Sequence, residues 1–505
     1  MDNHTIPKYA IETCVPKEVV CKMGIADVQR AWTNFANIVD SGVTPDLLEV
    51  LIDQLADYLP QSSDPDMALN NLAKFMVSAR TPLALSGLFE RDPAALKILV
   101  QIFSTTQHFS DLLIDDPASY DLLRMTDGQP VKRSTLIEEL WSDLDPLKYD
   151  ASQAGAVMRR FKRRESLRIA YGDLICEQPL ESVTEQISFL ADAILESAVR
   201  VIFRKQRDRY GTPRGPKGVP AEFVVLGLGK LGGLELNYSS DIDLICMYEH
   251  DGRTDGEQSL SNEDFYCAVV RDLIEMLTGS AELGPLYRVD LRLRPGGSRS
   301  PLVMRAAAAK QYYDLSGRTW ERQAFVKARP VAGSSELGQR FLRQLTPWIY
   351  QRYLSLADIA EIKALKRRIE DLTKSKGEES SDVKTGRGGI RDIEFVIQFL
   401  QLLNGGDLPS VRTGNTLTAI TQLSAEGCLS DQEKTILSEN YRFLRKTEHR
   451  LQIMFDIQTH QLPRGDEERR KLAIRLGYSS GLKENPQQYF EEDYEKITIE
   501  NRRVL

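Results

Sequence analysis

The sequence lacks the features that mark several common protein classes. No apolar run reaches the 18 or more residues of a membrane span, and the first residues are polar rather than signal-like. The six cysteines show no C-x-x-C spacing and the five histidines are scattered, so neither a disulfide framework nor a zinc site is indicated. With 65 basic and 73 acidic residues, the net charge of −8 gives no basis for nucleic-acid binding. The composition predicts a cytoplasmic enzyme with reduced core thiols and no membrane or nucleic-acid partner.

Two acidic residues dominate what the sequence does contain. Asp241 and Asp243 alternate with apolar residues, as in a half-buried strand, so both carboxylates point to one face with Cα atoms roughly 6.6 Å apart. At a 5 Å separation two such charges repel by about 3 kcal/mol at an effective dielectric near 20. A cation must compensate this repulsion, and oxygen ligands beside a phosphate suit Mg²⁺. The pair therefore predicts metal-assisted phosphoryl or nucleotidyl transfer.

A glycine-rich segment precedes the acidic pair. Residues 223–226 predict a short buried strand, and Gly227-Leu-Gly-Lys-Leu-Gly-Gly233 follows at once. The segment fits the dinucleotide fingerprint G-x-G-x-x-G, but a second strand follows where that motif needs a full helix. It is not a Walker A loop either, because Leu231 follows Lys230. We instead expect a phosphate cradle formed by backbone amides and one lysine. Its candidate residues are Gly229, Lys230, Gly232 and Gly233.

A third carboxylate lies in a segment of alternating residues. Residues 287–294 read Tyr-Arg-Val-Asp-Leu-Arg-Leu-Arg, which predicts a strand with Arg288, Asp290, Arg292 and Arg294 on one face. Three arginines beside an acid suit a polyanion: Asp290 would join the metal pair, and the guanidiniums would bind phosphate oxygens. The alternative is a solvent-facing edge strand whose charges pair with one another. Asp241, Asp243 and Asp290 are thus the candidate catalytic residues and ligands of two Mg²⁺ ions.

Several motifs in a fixed order resemble one enzyme family. They are the glycine segment, Glu235-Leu-Asn-Tyr-Ser-Ser-Asp-Ile-Asp-Leu, Tyr-Arg-Val-Asp-Leu-Arg-Leu-Arg-Pro295, Trp320-Glu-Arg322, Val326-Lys-Ala-Arg329 and Gly388-Gly-Ile-Arg-Asp-Ile-Glu-Phe395. Together they resemble the glutamine synthetase adenylyltransferase/adenylyl-removing enzymes over roughly residues 105–465. Members of that family usually carry two related transferase halves. One half adds AMP from ATP to a tyrosine of glutamine synthetase, and the other removes it with inorganic phosphate, releasing ADP.

The chain has one Ser-Asp-Ile-Asp-Leu motif and therefore resembles one half. Five positions carry the residue types that resemble the motifs of the removing half, namely Ser239, Ser240, Arg288, Arg322 and Arg391. Residues 323–324 and 331–333 are closer to the adenylylating half, and the balance favours removal. Two alternatives stay open: AMP transfer from ATP to a protein tyrosine or a small molecule, and a non-catalytic docking module.

The resemblance also implies further contacts and partners. Ser239 and Ser240 join the predicted phosphate-binding residues, and more distant candidates for phosphate contact are Glu321, Lys327, Arg329, Gly388, Gly389 and Arg391. An ion-pair network is the rival interpretation for Glu321, Lys327 and Arg329. The glycines open a helix, whose first amides favour anions. Glutamine synthetase is the implied protein substrate, the PII signalling protein is an implied regulator, and ATP, ADP and phosphate are implied ligands.

We expect an α+β fold. Its core would be a mixed sheet of the polymerase-beta-like nucleotidyltransferase type, flanked by extensive helices and closed by a C-terminal helical bundle. The predicted domains are a helical region at 1–150, the transferase core at 151–335 and the bundle at 336–505. The final residues lie inside a charged helical pattern, which suggests truncation before a second transferase half.

Overall fold

The computed structural model describes residues 8–147, 151–279, 284–351, 364, 381–478 and 485–504. The chain divides into two compact units. One comprises residues 1–129, 167–179 and 446–496, and the other comprises 130–166, 180–445 and 497–505. These units differ from the predicted domains: the expected boundary at 150/151 lies inside the second unit, and so does the one at 335/336. Sequence patterns place breaks at changes of element type, whereas compact units follow long-range contacts.

The first unit is helical in its described residues. Its helices are α1 (Lys8–Cys14), α2 (Lys17–Lys22), α3 (Val28–Asp40), α4 (Pro45–Tyr58), α5 (Pro65–Ser78), α6 (Pro82–Arg91), α7 (Pro93–Thr105), α8 (Gln107–Asp115), α9 (Ser119–Thr126) and α21 (Asp466–Arg475). Several of these helices begin at a capping side chain or a proline. At α5, for example, the Asp64 side chain accepts a bond from the Met67 amide, and Pro65 takes the first helical position. The rings of Phe75 and Phe103 pack against each other in the core at a tilt of 58°, with centroids 5.5 Å apart.

The second unit holds the sheet. Its helices are α10 (Arg133–Leu144), α12 (Leu180–Tyr210), α13 (Gly229–Gly232), α14 (Asn262–Thr278), α15 (Ala306–Ser316), α16 (Thr319–Phe325), α17 (Ser335–Ile349), α18 (Ile390–Asn404) and α19 (Thr416–Ala425). Three more helices contain boundaries between the units: α11 (Ala151–Leu174), α20 (Asp431–Phe455) and α22 (Pro486–Val504). The strands are β1 (Pro213–Arg214), β2 (Phe223–Gly227), β3 (Ile242–Tyr248), β4 (Arg253–Thr254), β5 (Val289–Asp290), β6 (Val303–Arg305) and β7 (Arg329–Gly333).

The main sheet is mixed, as expected. β2 lies between β3 and β7 and is antiparallel to both, whereas β5 and β6 pair in parallel with opposite ends of β3. Every residue of β2 is buried, because its Phe-Val-Val-Leu sequence provides apolar side chains to both faces. Phe341 and Trp348 of α17 belong to the core that covers this sheet. β1 and β4 form a separate two-stranded ladder.

Two expectations about these elements are wrong. The alternating segment 287–294 is not one strand: β5 ends at Asp290 and a turn begins at Arg292, because the Arg292 amide bonds back to the Asp290 side chain. The cysteines are free thiols, but they are not all core residues. Cys246 is buried, whereas Cys14, Cys21 and Cys176 are exposed on helices or at their ends.

Among the described residues, no helix is both long and apolar enough to cross a membrane.

Candidate active site

Sheet pairing brings the predicted carboxylates together. Asp243 of β3 lies directly opposite Asp290 of β5, and Asp241 immediately precedes β3. Pairing between parallel strands, rather than sequence spacing, brings in the third acid from nearly fifty positions away. Gly229 closes the other side of Asp243: a Cβ on this glycine would lie 2.4 Å from Asp243 Oδ2, and its φ of +54° also favours glycine. The glycine turn and the acidic strand therefore fit each other only because residue 229 has no side chain.

The electrostatic environment of Asp243 is unfavourable for a carboxylate. Burial raises the pKa of Asp243 to about 6, and the charges of Asp290 and Asp241 add to that effect, against lowering by Lys384 and Arg292. The pKa of Asp290 moves the opposite way, because Arg292 donates hydrogen bonds to it. A proton or a cation would therefore be bound readily at Asp243.

Two arginines neutralise the outer carboxylates. Arg288 Nε donates to Asp241 Oδ1 at 2.5 Å and its NH2 to the Ser239 carbonyl at 3.2 Å. Arg292 binds both oxygens of Asp290, with NH2 2.5 Å from Oδ2. The side chains of Arg288 and Arg292 are 52% and 78% exposed, so both guanidiniums can also be reached from solvent. Arg288 and Arg292 are thus paired with carboxylates, as the alternative interpretation of this segment expected. Their partners, however, are the candidate catalytic carboxylates themselves.

The chemistry of these donors fits a divalent metal. Asp241, Asp243 and Asp290 offer hard oxygen ligands, and burial together with the neighbouring carboxylates raises the pKa of Asp243, a penalty that a bound cation would relieve. Within the described residues, no three acidic, histidine or cysteine side chains are already arranged as a metal cage. Mg²⁺ needs only one or two protein carboxylates when substrate phosphates complete its shell. Asp243 and Asp290, which face each other across the strand pair, are the residues that could hold it.

The glycine turn differs in part from the predicted phosphate cradle. The amides of Gly232 and Gly233 donate to the carbonyls of Leu228 and Gly229 at 2.9 and 3.0 Å. A Cβ on Gly232 would lie 2.0 Å from the Lys327 carbonyl oxygen, and one on Gly233 would lie 2.7 Å from that of Gly414. These two glycines therefore permit close backbone packing, and their amides are already bonded. Gly229 and Lys230 remain the candidates for contact with phosphate, as do Ser239 and Ser240, which are half-buried before Asp241.

Arg294 was predicted to bind phosphate, and this prediction is wrong. Its guanidinium is buried and donates to the carbonyls of Leu291, Ser298, Ser300 and Pro301 at 2.8–3.3 Å. The turn after β5 directs the side chain away from the face that a continuous strand would have given it. Arg294 therefore holds the loop that leads to β6.

Glu321 and Arg329 are structural. At the start of α16, the Glu321 carboxylate accepts the Arg318 amide at 2.8 Å and the Tyr312 hydroxyl at 3.2 Å. Burial raises the pKa of Glu321. Arg329 forms a bidentate ion pair at 2.6 and 2.9 Å with Asp192 of α12, which is fully buried. The rival interpretation of an ion pair is therefore correct for Arg329, whereas the bonds of Glu321 are to a backbone amide and a hydroxyl.

Lys327 lies at the centre of a buried polar network beneath the site. Its ammonium contacts Glu235 Oε2 at 2.5 Å, Thr416 Oγ1 at 3.1 Å and Glu394 Oε1 at 3.2 Å. The two glutamates raise the pKa of Lys327 despite its burial, and Lys327 in turn helps to lower that of Glu394 to about 2. Lys327 is 5% exposed and is surrounded by carboxylates, so direct contact with phosphate is excluded.

The same network continues through Arg445. This fully buried residue of α20 donates to the Glu235 carbonyl at 2.6 Å and to Asn237 Oδ1 at 2.5 Å. It also donates to the Tyr441 hydroxyl at 2.8 Å, and Tyr441 in turn donates to Glu394 at 3.1 Å. The side chains of Lys327 and of Arg445 therefore hold the segment 235–237 that leads to Asp241, and Lys327 is itself bonded to α18 and α19.

The glycine segment before α18 is also closed to anions at the amides predicted to bind them. The Gly388 amide donates to Asp392 Oδ2 at 2.8 Å, and the amides of Gly389 and Arg391 donate to the carbonyls of Gly386 and Lys384, both at 3.0 Å. A Cβ on Gly388 would lie 2.1 Å from the Thr498 carbonyl oxygen, and one on Gly389 would lie 2.6 Å from that of Val383. Both glycines thus serve backbone packing. The half-buried Arg391 side chain remains a candidate for phosphate contact.

Lys384 is a functional candidate that the sequence did not single out. Its positive charge lowers the pKa of Asp243 and also that of Glu394. Asp382 Oδ1 accepts the amides of Lys384 and Thr385 at 2.8 and 2.7 Å, which fixes the backbone of this turn. The sequence does show that Lys384 lies next to a Gly-x-Gly-Gly segment. It does not show that Lys384 lies near β3, because residues more than 130 positions apart in the chain come together only in the folded protein.

Carboxylates that meet on neighbouring strands beside a glycine turn define a site of the phosphoryl- or nucleotidyl-transfer class. Comparisons with known proteins identify the family. Residues 96–344 match the model of the family "Glutamate-ammonia ligase adenylyltransferase", and residues 360–504 match that of "GlnD PII-uridylyltransferase". The chain belongs to the glutamine synthetase adenylyltransferase family of nucleotidyltransferases.

Three similar curated proteins share the name bifunctional glutamine synthetase adenylyltransferase/adenylyl-removing enzyme. The protein of Pseudomonas aeruginosa is 40% identical over 66% of this chain and 34% of its own length. That of Nitrosococcus oceani is 42% identical over 64% of the chain and 33% of its length. That of Thioalkalivibrio sulfidiphilus is 35% identical over 84% of the chain and 43% of its length. The chain thus matches less than half of the length of each of these relatives.

Replacing Lys327 with methionine should destabilise the second unit. The change removes the cation between two buried carboxylates and should cost about 3–5 kcal/mol in the free energy of unfolding. Urea denaturation followed by tryptophan fluorescence measures the loss. The matched control is Lys310→Met, because Lys310 pairs with Asp314 on the surface and such pairs contribute less than about 1 kcal/mol. Equal stability of the Lys327 variant and the wild type would contradict the network.

Asp243→Asn should stabilise the metal-free protein above pH 6. The folded state raises the pKa of Asp243 from 3.8 to about 6, so the folded form binds the proton more tightly, and stability falls as the pH rises through this interval. Asparagine stays neutral, and its advantage of about 2–3 kcal/mol at pH 7.5 should fade between pH 6 and pH 4. Unfolding in EDTA tests this expectation. A difference that does not change with pH would contradict it, and Mg²⁺ should stabilise the wild type more than the variant.

Proposed function

We propose that this chain removes AMP from an adenylylated tyrosine of glutamine synthetase by Mg²⁺-dependent phosphorolysis. The observation that carries the proposal is the meeting of Asp241, Asp243 and Asp290 with Arg288 and Arg292 at one end of the sheet. The names of the similar proteins include both adenylyl transfer to glutamine synthetase and adenylyl removal. We further propose that the sheet is the core of a polymerase-beta-like transferase fold.

The proposed reaction exchanges one phosphorus–oxygen bond for another. An oxygen of inorganic phosphate attacks the adenylyl phosphorus, the bond from that phosphorus to the tyrosine oxygen breaks, and the products are ADP and the free tyrosine. The phenolate leaves with a pKa near 10 and takes a proton from solvent, so it needs charge stabilisation more than a dedicated acid. Asp241, Asp243 and Asp290 would hold two Mg²⁺ ions, which supply Lewis-acid stabilisation of the phosphoryl oxygens when bound.

The cations around the carboxylates fit the approach of the phosphate that removal requires. Phosphate is a dianion and must approach a site that already contains three carboxylates. Arg288 and Arg292 are exposed at the carboxylates, and the charge of Lys384 acts on Asp243, so all three can offset that repulsion. Transfer from ATP would instead use a neutral tyrosine hydroxyl as the attacking group, and the anion brought to the carboxylates would be the triphosphate. Lys230, Ser239 and Ser240 would contact the phosphate oxygens from the neighbouring turns.

The family matches also suggest a regulator. Residues 360–504 match a family named for uridylylation of the PII protein. The resemblance implies PII as a regulator, and we propose from this match that PII contacts residues 360–504. Cross-linking of purified PII to the full chain, with the cross-linked residues mapped by mass spectrometry, tests this contact, and cross-links confined to residues outside 360–504 would exclude it.

Asp241→Asn and Asp243→Asn should each abolish release of ADP from adenylylated glutamine synthetase. Each change removes a metal ligand charge, so we expect turnover to fall by at least about a thousandfold, the scale of a lost electrostatic contribution. Nucleotides separated by chromatography give the measurement. The matched control is Asp251→Asn, which removes an exposed acid paired with Arg305 near the opposite end of β3. Wild-type turnover in either variant would remove these aspartates from the mechanism.

Arg288→Gln should weaken the use of phosphate more than the use of the protein substrate. We expect the KM for phosphate to rise about tenfold or more, because a charge-assisted contact is lost. Arg305→Gln is the control, since Arg305 also pairs with an aspartate at 2.7 Å and lies on β6, opposite Tyr248 at the far end of β3. An unchanged KM for phosphate would show that Arg288 does not bind it. AMP incorporation from ATP by the wild type, without ADP release, would establish the opposite direction.

A further inference from the structure

The first unit contains a cavity that the transfer reaction does not use. Its volume is about 220 Å³. The 3₁₀ turn after α4, α7, the end of α11, α20 and α21 contribute to its walls. Drug-sized ligands and nucleotides usually occupy pockets of roughly 300–1,000 Å³, so this cavity suits a smaller molecule.

Four cations line the cavity, against two anions. The cations are Lys97, Lys446, Arg450 and Arg475, and the anions are Asp173 and Glu177.

Arg450 and Asp173 neutralise each other. They form a bidentate ion pair at 2.7 and 2.8 Å in which both side chains are nearly inaccessible. Glu177 is exposed and is the other carboxylate of the lining. When Glu177 is counted against Lys97, Lys446 and Arg475, a surplus of two positive charges remains.

Arg475 provides the strongest indication of a missing anion. Its Nε donates to Ser63 Oγ at 3.0 Å and its NH2 to the Ser104 carbonyl at 2.8 Å, and both acceptors are neutral. The buried NH1 has no hydrogen-bond partner among the described residues. Burial lowers the pKa of Arg475 to about 10, opposed by the charges of Asp64 and Glu468, so the group is still positive at neutral pH. Both of these acids contact Lys471, at 2.9 and 3.1 Å.

The two lysines add charge that is also uncompensated. Neither Lys97 nor Lys446 forms an ion pair or side-chain hydrogen bond with a described residue. Desolvation and the charge of Arg450 lower the pKa of Lys446, with Asp173 and Glu177 acting in the opposite direction. Like charges gathered around a concave surface raise the local concentration of counter-ions of opposite sign. Placing a guanidinium there without a carboxylate is costly unless an anion completes the site.

We propose that this cavity binds a small oxyanion, either a short organic carboxylate or inorganic phosphate. The ammonium groups of Lys97 and Lys446 contact the anion, and Arg475, fixed by Ser63 and Ser104, supplies a positive wall. Binding here is independent of the carboxylate site in the second unit, which recognises its ligand through other residues.

Isothermal titration calorimetry of the full chain tests the site. Sodium succinate and sodium phosphate are titrated separately, each against sodium chloride of equal ionic strength. We expect saturable binding of one anion per chain, with a Kd of about 1 mM or tighter. Saturation by succinate alone identifies a carboxylate site and saturation by phosphate alone a phosphate site, and both support the proposal. Absence of saturable binding for both anions overturns it.

Variants locate the binding. Lys97→Gln with Lys446→Gln should raise the Kd about tenfold or more, because two charge-assisted contacts are lost. Lys74→Gln, an exposed lysine of α5 outside the cavity, should leave the Kd unchanged. Equal affinity in the double variant and the Lys74 variant overturns the proposal. If the double variant fails to fold, Lys97→Gln alone decides, because Lys97 is exposed and its replacement removes no internal bond.

The titration with phosphate needs one further experiment, because phosphate is also the proposed substrate of the carboxylate site. In an Arg288→Gln background, phosphate binding that persists but is lost with Lys97→Gln and Lys446→Gln belongs to the cavity. Phosphate binding that disappears with Arg288→Gln alone belongs to the carboxylate site and, without succinate binding, overturns the proposal. The readout is binding rather than ADP release, so it is independent of whether the proposed reaction occurs.

Discussion

The buried ammonium of Lys327 is the interaction on which the geometry of the site depends. It joins Glu235, which precedes the acidic strand, to Glu394 and Thr416, which lie more than 150 residues later on α18 and α19. An unpaired charge at this depth would be strongly unfavourable, so the three partners must come together for the core to form. Arg445 reinforces the same segment from α20. The helices after the sheet therefore hold the acidic strand in place as well as covering it.

A second constraint is the balance of charge at the sheet end. Three carboxylates lie there, two of them directly opposite each other, and Arg288 and Arg292 compensate only the outer two. Asp243 is left partly desolvated with a raised pKa, which is the condition of a group that awaits a cation. The glycine at position 229 allows the turn to approach Asp243 Oδ2, where a side chain would not fit. The close backbone and the neighbouring charges therefore both affect this carboxylate. Exposed arginines at such a centre are consistent with an incoming anion.

Much of this could be predicted from the sequence, and the failures have physical causes. The period-two pattern around Asp241 and Asp243 correctly indicated a strand, because apolar alternation on a buried strand is a local property. The same pattern predicted a strand over 287–294 incorrectly. The bonding between Asp290 and Arg292 ends the strand there, and the Arg294 side chain is consequently buried in the protein interior. Lys327 and Arg329 look like phosphate ligands in the sequence because their partners, Glu235, Glu394 and Asp192, are distant in the chain. Long-range pairing of this kind leaves no local signal, and Lys384 went unnoticed for the same reason.

The most direct test of the account follows the phosphate atom itself. Adenylylated glutamine synthetase is incubated with this chain, Mg²⁺ and radiolabelled inorganic phosphate, and the nucleotide products are separated. Attack by phosphate at the carboxylate site predicts label in the β-phosphate of ADP, in proportion to the tyrosine released. Release of unlabelled AMP would mean that water is the attacking group. Absence of release, with AMP incorporated into unmodified glutamine synthetase from ATP, would contradict the proposed direction of the reaction.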